Sequence, residues 1–164
     1  MTADRTADRT ADRTADRTAG AASAVGAAAD EAGSGTDAAR AEELSGALAA
    51  DGVRGVALCY VDTAGVTRVK GVPVTRLSSA VRRGVGMSPV FDTFLADDSI
   101  VSTDVLGGPD GDLRLFPDLS RVVPLAGQPG WAFAPVDRRQ QDGEPHPGCS
   151  RTFLRRMVTP AVST

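Results

Sequence analysis

Histidine is nearly absent from this 164-residue chain, with His146 alone, and its two cysteines, Cys59 and Cys149, stand in unrelated contexts. Without a CxxC or an HxxxH there is no recognisable metal cage, and two isolated thiols do not make a disulfide framework. Aromatic residues are scarce at 4%, with a single Trp and a single Tyr among them. Neither sign of charge dominates: 18 Lys and Arg against 21 Asp and Glu leave a net charge of -3. That balance removes the basic face a nucleic-acid binder needs to displace counterions from phosphates. No apolar run approaches the roughly 20 residues needed to cross a bilayer, and the N-terminus lacks the basic-then-apolar order of a secretory signal. These absences predict a cytoplasmic protein without nucleic-acid or membrane partners.

What the chain does contain begins with four copies of the tetrapeptide TADR over residues 2–17, followed by a stretch of mostly Ala, Gly, Ser, Thr and Asp. On a helix, Asp4 and Asp8 or Arg5 and Arg9 would stack as repelling pairs, and no apolar stripe exists to dock the segment. Residues 1–35 are therefore expected to be a disordered tail. Its four Arg and four Asp cancel, which argues against a charged interaction arm.

Helical spacing starts at residue 36. Thr36 or Asp37 offers a cap, Leu44 and Leu48 with Ala41 and Ala47 form a narrow apolar face, and Gly52 offers a stop. This helix is expected across a sheet edge. Next, VRGVALCYVD and TAGVTRVKGVPV read as a hairpin turning at Asp62 to Gly65, its first strand apolar on both sides and hence central, its second ended by Pro73. A short helix follows in VTRLSSAVRRG, with Thr75 as cap, Leu77, Ala80 and Val81 as its buried stripe, Arg82 and Arg83 in its last turn, and Gly84 past its end. Strands are expected at 90–96, 112–116 and 131–136, separated by turn-rich stretches. CSRTFLRRMV reads as a helix capped by Ser150, with Phe153, Leu154 and Met157 on one face. The order describes an α+β fold, a β-grasp-like mixed sheet with one packed helix.

Residues 111–137, GDLRLFPDLSRVVPLAGQPGWAFAPVD, resemble the end of the N-terminal domain of glutamine synthetase. Asp112, Leu113, Leu115, Pro117 and Asp118 match that family's SDM-x-L-x-PD stretch; Trp131, Ala132, Ala134 and Asp137 match its closing strand. VALCYVDTAGVTRVKGVPV is similar to the opening hairpin, VTRLSSAVRRG to the helix, and DGEPHPGCSRTFLRR to the run-in to the catalytic domain. Longer loop sequence, ADDSIVS and GGPDG where the bacterial type has Phe-Asp-Gly-Ser-Ser-Ile, looks more like the divergent branch that includes gamma-glutamylpolyamine synthetases. The resemblance implies a domain over 36–145, with 146–164 as the start of a catalytic domain.

In the resembled enzymes ATP activates glutamate as an acyl phosphate and an amine attacks it. The N-terminal domain of one subunit lends an acidic loop to its neighbour in a ring. The resemblance implies that a carboxylate in that loop attracts the ammonium, by about 4 kcal/mol at 4 Å and an effective dielectric near 20, and takes its proton. Asp97 is the first candidate, Asp98 the second, with Ser99 as a hydrogen-bonding neighbour; Asp92 is the third if the Phe91-Asp92 pair sets the register. Solvated turn caps would use the same acidic residues. His146 between two prolines is expected at the surface, Cys59 in the core, Cys149 without a base to activate it, Arg138 and Arg139 in solvent, and Trp131 and Phe133 in the core or an interface. ATP and Mg or Mn are implied for the full-length family, whose sites lie in the catalytic domain, so no cofactor is expected here and this chain alone is expected to be an inactive fragment. The alternative is a non-catalytic module that joins a ring of homologous subunits. Deleting residues 2–35 is expected to leave the thermal midpoint unchanged; a drop of several degrees in a calorimetric scan would mean that the tail docks.

Overall fold

A computed structural model describes residues 36–108 and 110–161; the TADR repeat and the expectation attached to it lie outside the described residues. Helix α1 covers residues 36–50 and ends as its composition suggests, with Gly52 at φ +83°. The chain then runs through strand β1 (Gly55–Val61), strand β2 (Thr67–Pro73), helix α2 (Leu77–Arg83), strand β3 (Val85–Met87), strand β4 (Leu113–Pro117), the short strand β5 (Val123–Pro124), strand β6 (Trp131–Arg139) and helix α3 (Ser150–Ala161).

The strands lie in the order β2-β1-β6-β4-β3, with β5 also on β6. Antiparallel β1 and β2 form the expected hairpin, and Gly65 at φ +82° supplies its turn. Strand β1 is central as predicted, because its other edge pairs in parallel with the first half of β6. The opposite edge of β6 is divided between β5 at Ala132 and Phe133 and β4 at Val136 to Arg139. This is a mixed sheet, and α1 and α2 close one face of it.

Strand alternation decides which side chains reach that face. Val56, Leu58 and Tyr60 of β1, Leu113 and Leu115 of β4, and Ala132, Ala134 and Val136 of β6 are all buried. Ala41 and Leu48 of α1 and Leu77 of α2 join the same cluster, so α1 packs on the sheet face rather than across an edge. Each fully buried Leu contributes about 2 kcal/mol. The opposite face is partly open. There the Trp131 ring lies against Gly55 and Gly71, where an added Cβ would come within 2.8 Å and 3.2 Å of the indole.

Three expectations need correcting. Residues 90–96 are not a strand: Pro89–Asp92 form a 3-10 turn, because Ser88 caps it through its hydroxyl, accepting from the Val90 N–H, and Pro89 starts it. Thr75 does not cap α2, since a 3-10 turn over Val74–Arg76 intervenes and the boundary residue, Arg76, makes no side-chain cap. Ser150 is the first residue of α3 and not its cap; Cys149 precedes it, its carbonyl accepting from the Phe153 N–H. The Gly84 turn after α2, at φ +64°, packs so closely that an added Cβ would sit 2.8 Å from Arg114 Cβ, whereas Gly52 has the same sign of φ and open space. Gly84→Ala is therefore expected to cost about 3 kcal/mol and Gly52→Ala about 1 kcal/mol in urea unfolding; equal costs would show that no crowding exists at residue 84.

Candidate functional site

The alternation that buries Ala132, Ala134 and Val136 continues one step further and carries Arg138 inward, where the side chain is only 1% exposed. Its Nη1 lies 2.5 Å from both carboxylate oxygens of Asp92, its Nη2 donates to the Gly148 carbonyl, and its guanidinium stacks over the Tyr60 ring at 4.9 Å. His146 completes the group, with Nε2 2.9 Å from Asp92 Oδ2. Both Arg138 and His146 thus depart from the expected solvated positions. A burial reading of the isolated GEPHPG loop misses His146, because the partner that draws the ring inward, Asp92, lies 54 residues away; locally the His146 N–H donates to the Arg138 carbonyl and the Cys149 N–H to the His146 carbonyl, turning the loop back.

Asp92 is brought inward by the 3-10 turn. The Thr63 hydroxyl, from the β1–β2 turn, donates to its backbone carbonyl at 2.8 Å. That turn is itself braced: Asp62 accepts from the Val66 N–H and from Arg68 Nε at 2.8 Å and 2.7 Å, and the Arg68 guanidinium lies over Phe91 and Phe94. Burial alone would raise the Asp92 carboxyl, but the hydrogen bonds from His146 and Arg138 outweigh it and hold the group below its ordinary 3.8. Burial pushes the Tyr60 phenol well above its usual range.

Asp97, Asp98 and Ser99 occupy a different environment. They form an exposed turn in which the Leu95 N–H donates to the Ser99 carbonyl and Asp98 adopts φ +62°. The Ser99 hydroxyl and N–H both donate to Asp97 Oδ1, at 2.6 Å and 3.1 Å, and these bonds hold the Asp97 carboxyl below its usual value. Asp92 is therefore separated from this pair: its carboxylate is committed to a buried cation, whereas theirs face solvent.

Near the start of α3, Cys149 is buried, and its Sγ accepts from the Arg138 N–H and the Thr152 hydroxyl, each at 3.3 Å. Burial would raise this thiol, but the hydrogen bonds lower it. Cys59, expected in the core, is half-buried on the outer sheet face. Arg151 ties α3 to the sheet through Asp118 at 2.6 Å and Asp137 at 3.1 Å, and Arg155 also pairs with Asp137. Beyond these anchors Phe153, Leu154 and Met157 are exposed by 62%, 61% and 59%, so the predicted apolar face of α3 is open among the described residues.

Residues 42–146 match the family described as glutamine synthetase N-terminal domain. The chain belongs to this family. It is 68% identical over 123 residues to gamma-glutamylpolyamine synthetase GlnA3 of Streptomyces coelicolor, an alignment covering 75% of this chain and 26% of that protein. Its fold is similar to a crystal structure described as a novel glutamine synthase homologue, with TM-score 0.57 and 32% identity over 66% of this chain and 26% of the other. A GmaS/ADP complex superposes with TM-score 0.59 at 22% identity, covering 74% and 26% of the two chains, a likeness of fold alone. The chain spans about a quarter of the length of these relatives.

Within this glutamine synthetase N-terminal domain, the described residues include no group of three or more His, Cys, Asp or Glu placed to hold a metal ion, and none of their helices is long and apolar enough to cross a membrane. The Asp92 carboxyl has a native value below its unfolded one, so it binds fewer protons when folded; its contribution is complete above about pH 5 and is lost as the pH falls through the native value. Asp92→Asn leaves Arg138 buried without its counter-charge and is expected to cost about 3–5 kcal/mol at pH 7. The acid limb of its urea midpoint against pH should also be shallower than that of the parent; a limb of unchanged slope would exclude Asp92 as its source.

Proposed function

We propose that this domain serves an ATP-dependent ligase that joins the side-chain carboxyl of glutamate to an amine, and that the amine is a polyamine rather than ammonia. The observation that carries this reading is the 68% identity to gamma-glutamylpolyamine synthetase GlnA3 over 123 residues. ATP and a divalent metal enter on a different part of the assembly. The domain's own share is the exposed turn: Asp97, pre-set as an anion by Ser99, attracts the ammonium form of the amine, Asp98 beside it adds negative potential, and Asp92 supports the turn from inside through Arg138. In this reading homologous subunits associate so that the turn reaches a neighbour's reacting groups. Two free cysteines suit a cytoplasmic setting.

A second reading, a non-catalytic β-grasp module that binds full-length homologues, is favoured by one feature, the open Phe153, Leu154 and Met157 face of α3.

The two are separated by a chimera in which residues 42–146 replace the matching part of GlnA3 from Streptomyces coelicolor. The ligase reading expects ATP- and glutamate-dependent glutamylation of spermidine to persist, and Asp97→Ala in the chimera to lower the rate about a hundredfold or more. A chimera that assembles like its parent yet forms no product would favour the module. Full activity after Asp97→Ala would remove that carboxylate from the chemistry.

A further inference from the structure

The outer face of the sheet, opposite α1 and α2, is apolar across four strands, and the strand registers lay out its rows. Gly71 of β2 stands beside Ala57 of β1, Phe133 of β6 and Val123 of β5. Two residues further along the strands, Val69, Cys59 and Pro135 form the next row. No side chain in either row is charged or carries an oxygen. Val69, Val123 and the neighbouring Trp131 are nonetheless 60%, 50% and 41% exposed. Helix α3 is anchored at Asp137, past the last of these rows.

The indole sets the relief of this face. Because Gly55 and Gly71 lack a Cβ, the Trp131 ring lies down on their backbone instead of standing off the sheet. The surface between Val69 at one edge and Val123 at the other is therefore level, as a second sheet packed about 10 Å away requires. Four strands about 4.8 Å apart and about seven residues long span about 450 Å². Two such faces brought together with their rims bury about 1,000 Å² in total, the lower bound for a specific interface.

Charge decides which partner fits. A surface bearing Lys, Asp or Glu would strand that charge against rows that offer it no counter-charge. A second copy of the same face brings none. The cation nearest the indole, Arg54, lines one hollow of about 430 Å³ with Trp131, and its side chain makes no hydrogen bond or ion pair among the described residues. Gly55, the next residue, pairs with Trp131, so Arg54 and the indole lie at the same level on neighbouring strands. A two-fold axis along the strands, between β1 and β6, exchanges these strands across the interface. It sets the guanidinium of each copy over the indole of the other, a cation–π contact made twice.

We propose that this face is a self-association surface, through which two copies of the chain pack outer sheet on outer sheet about that axis. It involves neither the Asp97 turn nor the apolar face of α3, and it holds whether or not the ligase reading does.

Trp131 is the only tryptophan in the sequence, so its emission reports on the interface directly. Sedimentation velocity of the full chain over about 5–500 μM is expected to show a monomer–dimer equilibrium with a dissociation constant of about 10–100 μM. Acrylamide quenching of Trp131 is expected to fall over the same range. Val69→Lys combined with Val123→Lys, both at exposed positions, is expected to weaken the dimer at least about tenfold with an unchanged far-ultraviolet circular dichroism spectrum. Arg54→Ala is expected to weaken it about threefold, and Leu154→Lys on α3 to leave it intact. A parent chain that stays monomeric at the top of the range overturns the proposal, as does a dimer that survives the double variant or dissolves only with Leu154→Lys. Dimerisation that appears only after residues 2–35 are deleted would make that segment the occupant of the face and overturns it too.

Discussion

A guanidinium withdrawn to 1% exposure must have its charge balanced and its donors answered, and Arg138 meets both conditions only when separate stretches of chain converge. Asp92 arrives from the turn after β3, Gly148 from the return before α3, and Tyr60 from the end of β1. Such a pair adds little net stability over an apolar pair of the same size, because desolvation offsets much of the attraction. Its influence lies in what it makes costly. Any arrangement that leaves either charge buried alone is heavily penalised, so the acidic loop and the start of α3 are held in one position relative to β6.

The two ends of the inner sheet face thus have different chemistry. At the α1 and α2 end the cluster of Leu48, Val56, Leu58, Leu77 and Leu115 is apolar and needs only shape. Toward the end of β6 it gives way to Arg138, Asp92 and His146, which need direction as well. The outer face follows another rule. There the indole of Trp131 needs a floor without side chains, and Gly55 and Gly71 provide it on adjacent strands.

Membership in the glutamine synthetase N-terminal domain family and the 68% identity to GlnA3 give the acidic loop its interest, but the three aspartates are not equivalent. Asp97 and Asp98 stand where an approaching cation meets them without losing a protein partner. Asp92 would first have to give up Arg138 and His146. A carboxylate that must remain charged inside a protein is suited to orienting its neighbours, and His146, held through Nε2, is the neighbour it orients.

Much of this was legible in the residues themselves. The β1–β2 hairpin, the stop at Gly52, the central position of β1 and the apolar face of α3 follow from local spacing and backbone preference, which act over a few residues. The alternation of β6 also carried the signal for Arg138, had it been extended one step past Val136. Three features were outside that reach. The 3-10 turn at Pro89–Asp92 replaced a strand, His146 was buried in a stretch whose prolines and glycine read as surface loop, and Cys149, at the head of the helix-like stretch, was buried against Arg138. Asp92 meets Arg138 across 46 residues and His146 across 54, and no periodicity within either segment encodes that meeting. Local sequence determined the elements and their faces, whereas the tertiary structure decided which charges are withdrawn from water, because only the packed sheet supplies the partners that make such burial tolerable.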